Sequence, residues 1–262
     1  MHLIGPGEGA MACNEWGVGR MAEPMEILDA AGRLLASGET RLLEGAHVLV
    51  TAGPTHEPID PVRYIANRSS GKQGYAIAAA AARLGARVTL VSGPVALKTP
   101  AGVEAIQVET AREMLAAVES ALPADIAVFA AAVADWRVAQ LHPTKLKKAG
   151  SAEPPPLALT ANPDILRIIA SQSARRPPLT IGFAAETENV VANAKHKLAA
   201  KGCDWVVAND VSAESGVMGG NDNQVHLVTA AGVESWPAMT KEAVAEELMR
   251  RAAAYRGARA AE

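Results

Sequence analysis

The sequence has only two cysteines, Cys13 and Cys203, too few and too far apart for a disulfide framework, and this usage suits a reducing cytoplasm. Neither sign of charge dominates: 25 Lys+Arg stand against 28 Asp+Glu, for a formal net charge of -3. That balance gives no broad electrostatic footprint for nucleic acid or anionic lipid, so any anion site must be local. Long hydrophobic runs are absent as well. The longest, Ile126 to Ala134, is too short to span a bilayer, and the start, MHLIGPGEGA, has no basic segment followed by an apolar core. The 6 histidines are dispersed, which leaves no His/Cys metal cluster. No G-x-S-x-G elbow occurs, and no G-x-G-x-x-G fingerprint follows the first strand, which argues against a hydride-transfer enzyme. These absences predict a cytoplasmic protein without nucleic-acid or membrane partners.

What is present is an alternating pattern. A hydrophobic content of 49% over 262 residues supports a large core. Strands are predicted at His47–Ala52, Arg87–Ser92, Asp125–Ala131, Leu179–Ala184 and Asp204–Ala208. Helices are predicted at Gly74–Leu84, Ala111–Ala121, Asp164–Ser171 and Val190–Lys201, with Thr110 and Glu113 at capping-box spacing. Near-continuously apolar strands alternating with helices imply an α/β fold: a Rossmann-like, mainly parallel sheet with helices on both faces. Gln224–Thr229 and Val233–Trp236 read as an edge β-hairpin, and Lys241–Tyr255 as a closing helix. Residues 1–45, crowded with glycine and without a period until a helical pattern at Pro24–Leu35, form an appendage to a domain over 46–262. Leu141–Pro156 reads as a loop that is mobile or ordered by a ligand.

Several stretches place chemistry at carboxyl ends of strands. In VLVTAGPTHEPIDPVRYIANRSSGKQG, Val48–Gly74, a strand ends at Gly53, a long loop carries Asp60, Arg63 and Asn67, and Ser69, Ser70, Gly71 and Gly74 open a helix. Small residues there can present free amides to a phosphate, although an ordinary β-to-α connection would look similar. Phe129 to Asp135 runs from a buried strand into small residues and an acid; Asp135 is a crevice residue, a cap of the next segment or a partner of Arg137. The loop lysines Lys145, Lys147 and Lys148 suit polyphosphate, and equally a solvated face. Phe183 ends a strand, as a base-stacking ring or a core aromatic. Lys197 and Lys201 share a helical face, and Asn209-Asp210 ends another strand.

Taken together, Val48–Gly74, AAVADW, KLKK, NPDIL, GFAAET and the AND of Ala208–Asp210 resemble bacterial phosphopantothenoylcysteine synthetase, from His47 to the C-terminus. Residues 1 to about 25 resemble the end of the flavin-dependent decarboxylase that is the other half of that bifunctional protein, with Cys13 at the flap position. The resemblance implies a phosphopantothenate–cysteine ligase: CTP with Mg²⁺ activates 4'-phosphopantothenate as an acyl-cytidylate, releasing pyrophosphate, and L-cysteine displaces CMP. It implies a homodimer, FMN only in a decarboxylase domain that this sequence lacks, and no decarboxylation by this chain alone. The implied catalytic residues are Asn67, Lys145, Asp135 and Arg63, the last serving the neighbouring subunit's site. The implied nucleotide site comprises Gly53, Ser69, Gly71, Gly74, Phe129, Ala130, Ala131, Asp135, Lys145, Asn162, Pro163, Asp164, Ile165, Phe183, Lys197, Lys201 and Asn209. The alternative is a catalytically inactive nucleotide-binding or assembly fragment.

Overall fold

Along the first predicted strand, Val48, Val50 and Ala52 alternate with Leu49 and Thr51, and this period of two serves two different apolar layers. A computed structural model describes residues 4–10, 16–36, 41–147, 156–211 and 222–260. The chain falls into two units, Met1–Arg41 and Leu42–Glu262. In the smaller, β1 (Gly7–Ala10) pairs antiparallel with β2 (Trp16–Arg20), and α1 (Pro24–Ala36) follows. A hairpin therefore stands where no regular element was read. Cys13 lies outside the described residues.

The larger unit runs β3 (His47–Ala52), β4 (His56–Pro58), β5 (Tyr64–Ala66), α2 (Lys72–Arg83), β6 (Arg87–Ser92), β7 (Val103–Gln107), α3 (Ala111–Ala121) and β8 (Ile126–Phe129). It continues through β9 (Trp136–Val138), β10 (Leu159–Ala161), α4 (Ile165–Ala170), β11 (Leu179–Glu186), α5 (Val190–Lys201) and β12 (Trp205–Asp210). Last come β13 (Asp222–Asn223), β14 (Val225–Thr229), β15 (Gly232–Ser235), β16 (Met239–Thr240) and α6 (Lys241–Ala260).

Eight strands form one sheet in the order β15-β14-β12-β11-β8-β3-β6-β7, parallel from β12 to β7 and closed on the other side by the antiparallel β14–β15 hairpin. One layer packs Val48, Val50 and Leu90 against Ile77 of α2 and Leu248 of α6. The opposite layer packs Leu49, Val91 and Ala127 against Met114 of α3, Ile169 of α4 and Ala194 of α5. This is the expected mainly parallel, Rossmann-like sheet with helices on both faces. The chain leaves β3 toward β6 and β7 and then returns to β3's other side as β8. The carboxyl ends of β3 and β8 thus flank a topological switch point, where open α/β sheets bind ligands. No helix among the described residues is long and apolar enough to cross a membrane.

Some elements differ from the sequence reading. The long loop after β3 contains the β4–β5 hairpin, paired from His56↔Ala66 to Pro58↔Tyr64, with the His56 and Tyr64 rings stacked at 4.0 Å. Edge strand β7 was not predicted, and neither was the β9–β10 pair that brackets the basic loop. Part of that loop, including Lys148, lies outside the described residues.

Candidate functional site

The crevice at the switch point is built by backbone that leaves the sheet while remaining tied to it. Beyond β3 and β8, the Ala130 amide donates to Thr51 O at 3.1 Å and the Ala132 amide to Gly53 O at 2.9 Å. Thr55, fully buried, accepts from the Ala134 amide at 3.0 Å through its hydroxyl. Asn162 then bridges onward: its amide donates to Asp135 O at 2.9 Å, and Nδ2 donates to Ala134 O at 2.8 Å. These bonds fix Ala131 to Asp135 as one wall. The opposite wall is Asn162 to Leu166, with Phe183, Lys197 and Lys201 closing the cavity, whose volume is about 210 Å³.

The electrostatics come mainly from α5. Lys197 Nζ donates to Phe183 O at 2.6 Å, and Lys201 Nζ to Asp164 Oδ2 at 2.5 Å. Asp164 also caps α4, accepting from the Arg167 amide at 3.1 Å. Burial first, and then the nearby Lys201 charge, push the pKa of Lys197 below the ordinary lysine range. The carboxylates of Glu186 and Asp164 act in the opposite direction on Lys197, and Asp164 is already paired with Lys201 one helical turn away. Beneath this wall, burial pushes the Cys203 thiol up to about 11, so it stays protonated at neutral pH.

The predicted residues divide into three groups. Phe129, Ala131, Asp135, Asn162, Pro163, Asp164, Ile165, Phe183, Lys197 and Lys201 line this one crevice. Asp135 does not pair with Arg137, whose guanidinium turns instead to Ala161 O and to Asn162 Oδ1. Phe183 both lines the crevice and packs on the core. Ala130 and Asn67 sit beside it: Asn67, exposed, donates from Nδ2 to Val133 O at 2.9 Å. The remaining positions are not among its lining residues: Gly53, Ser69, Gly71, Gly74, Arg63, Lys145 and Asn209.

The glycines have packing roles. A Cβ on Gly74 would sit 2.5 Å from the Ala52 Cβ, so Gly74 lets α2 lie against β3. Gly71 has φ +72° and precedes α2, and its amide already donates to Ser69 Oγ at 3.2 Å. Asn209 is a buried ladder residue of β12, opposite Ala185 and Val225. Lys145 is exposed, next to a peptide that Asp60 and Arg63 hold. Thr51 and Thr55 were not singled out, and Val133 only as part of the Phe129–Asp135 stretch; a threonine inside an apolar strand was the available signal for the first. Among the described residues no group of three His, Cys, Asp or Glu side chains could hold a metal.

Comparison with known proteins places this geometry. The family model described as the DNA/pantothenate metabolism flavoprotein C-terminal domain matches residues 43–255. The coenzyme A biosynthesis bifunctional protein CoaBC of Vibrio parahaemolyticus is 44% identical over 250 residues, covering 95% of this chain and 62% of the relative. That of Escherichia coli K12 is 44% identical over 249 residues, covering 94% and 61%. The chain thus spans about three fifths of the length of these curated relatives. The solved C-terminal domain of a bifunctional CoaBC protein is 40% identical with a TM-score of 0.69, over 82% of this chain and 97% of that one. A DNA/pantothenate metabolism flavoprotein from Streptococcus pneumoniae has the same fold, with a TM-score of 0.66 at 23% identity, over 80% and 99%.

These findings correct the resemblance drawn from the sequence. It was drawn to a synthetase, whereas the matching family is described as a domain of a flavoprotein, and the relatives' names state coenzyme A biosynthesis and two functions without naming a ligase. The expectation of a phosphopantothenate–cysteine ligase is withdrawn on that description, and with it the acyl-cytidylate chemistry and the alternative of an inactive assembly fragment. As for a flavin, the lysines and polar groups of the crevice fit the phosphate end of a flavin mononucleotide as they fit other phosphates. Its two aromatic lining side chains are Phe129, a buried core residue, and Phe183, which packs on the core and is half-buried, so a ring system of any kind would meet one partly exposed aromatic face there.

Proposed function

The chain belongs to the family of the DNA/pantothenate metabolism flavoprotein C-terminal domain, and from that membership we propose that its switch-point crevice binds the phosphates of a nucleotide used in coenzyme A biosynthesis. The observation that carries this reading is the pair Lys197 and Lys201, half-buried in the crevice, where Lys197 donates to the neutral Phe183 carbonyl and Lys201 pairs with Asp164, leaving two cations and one paired carboxylate on that wall. CTP is the nucleotide we assign, with 4'-phosphopantothenate and L-cysteine as the accompanying small molecules. Mg²⁺ would arrive with the triphosphate, as this ion commonly does, rather than sit in a protein cage.

In this reading Lys197 and Lys201 neutralise phosphate oxygens, and Phe183 gives the base an apolar face. Asn162 and the Ala131–Asp135 wall supply donors and acceptors in fixed positions. Asn67 and Lys145 reach the ligand from outside the crevice, and Gly53, Ser69 and Gly71 shape the backbone beside it. Arg63 acts across a homodimer. The hairpin residues Val62, Tyr64, Trp136 and Leu159 are exposed apolar side chains, and we assign them to that pairing.

Titration calorimetry with CTP and Mg²⁺, CMP and flavin mononucleotide tests the reading. Binding of CTP that weakens greatly for CMP supports it. Binding of the flavin nucleotide without CTP overturns it in favour of a flavin site.

A further inference from the structure

Leu146 lies between the exposed lysines Lys145 and Lys147, and both ends of its backbone are held from a distant hairpin. Its amide donates to Asp60 Oδ2 at 3.1 Å, and its carbonyl accepts from Arg63 Nη2 at 2.8 Å. Asp60 is itself buried, with 2% exposure, although it sits in a polar turn. Its carboxylate also accepts from the Val62 amide at 2.8 Å, the Arg63 amide at 2.9 Å, Arg63 Nε at 3.0 Å and Arg63 Nη2 at 2.6 Å. The backbone adds another tie, from the His142 amide to Ile59 O at 3.1 Å. A buried carboxylate spends its lone pairs this fully where geometry must be kept. Neither Asp60 nor Arg63 lines the crevice of its own subunit, so contact with a ligand there does not account for the arrangement.

We propose that Asp60, with Arg63, is a positioning device that grips the Leu146 peptide and so sets where Lys145 and Lys147 stand. For the consequence in ligand binding this rests on the nucleotide reading given above; the grip itself does not. Arg63 first, helped by the three backbone amides, holds the Asp60 carboxyl well below the usual carboxylate range, against the cost of its burial. The grip is therefore formed throughout the neutral range.

Limited trypsin digestion of the full chain reads the grip directly. The bond cleaved after Lys145 is the one whose leaving amide is the Leu146 N–H that Asp60 holds. Asp60→Asn should accelerate this cleavage on the order of tenfold or more, as expected for losing hydrogen bonds to a charged group that suppress local opening. Cleavage after exposed Lys98, in a separate loop, should be unchanged. Arg63→Gln alters an exposed side chain, spares the fold, and should accelerate the same cleavage by freeing the Leu146 carbonyl. Protection after Lys145 equal to wild type in both variants, or a parallel rise after Lys98 in both, would overturn the proposal. CTP affinity is measured alongside. In Asp60→Asn, faster cleavage with weaker CTP binding supports the whole inference, and faster cleavage with unchanged binding removes the link to the ligand. A wild-type chain that binds no CTP sinks the nucleotide reading and leaves the grip to be decided by cleavage alone.

Discussion

Lys197 is the residue on which the candidate site turns, because its ammonium is desolvated and donates its hydrogen bond to the neutral Phe183 carbonyl. Its folded pKa is lowered, so above that value the native chain binds fewer protons than the unfolded chain. Folding stability then rises with pH between the folded value and that of free lysine. Bound phosphate reverses the shift by favouring the ammonium. Affinity for CTP should therefore fall as pH rises through the free protein's lowered Lys197 pKa, with proton uptake on binding, measurable by calorimetry in buffers of different ionisation enthalpy. Lys197→Met should weaken CTP binding roughly ten- to hundredfold, the scale of one charge-assisted hydrogen bond, and abolish that pH dependence. An unchanged slope in the variant would move the titrating group elsewhere. Gly74 makes a sharper case for steric fit. Gly74→Ala gains up to about 1 kcal/mol of helix propensity. Its Cβ would sit 2.5 Å from the Ala52 Cβ, and overpacking of this kind costs about 1–3 kcal/mol. A net loss in denaturant midpoint is expected, and a gain would mean that α2 can slide off β3 freely.

At the scale of elements, the segments with strong periods were legible and those held by distant partners were not. β3, β6, α3 and α5 have the predicted bounds, because apolar runs, the Thr110–Glu113 capping box and Gly202 after α5 mark their ends locally. β4 and β5 were invisible: three-residue strands carry too little period, and polar HEP reads as loop. What holds them is tertiary. Glu57, 1% exposed, accepts from the Ala111 amide at 2.9 Å, so a strand residue caps a helix more than fifty positions away; the neighbouring His56 amide donates to Glu109 O at 2.8 Å. Glu57→Ala would leave that amide without its partner and open a void. We expect a loss of about 2–4 kcal/mol in chemical denaturation. A loss below about 1 kcal/mol would assign the junction to the Thr110 cap and the His56–Glu109 bond instead.

At the scale of the whole molecule, the sequence placed the sheet order's consequence better than its cause. Ten residues from four segments were assigned to one nucleotide site, and the structure brings them to one crevice because β3 and β8 part at the switch point. The glycine segment was read as part of the same site; in the structure Gly74 packs α2 on β3, while Gly53 and Gly71 pack beside Val95, and small residues serve such close packing as readily as they serve phosphate loops. All eight strands of the main sheet, both apolar layers and every lining residue of the crevice lie within Leu42–Glu262. A unit with its own core should fold without help. Expressed as residues 42–262, the protein should melt in one cooperative transition at the midpoint of the full chain's main transition, and should bind CTP with the same affinity. A lowered midpoint would show that the first unit stabilises the second. A normal midpoint with lost binding would show that residues before Leu42 complete the ligand site.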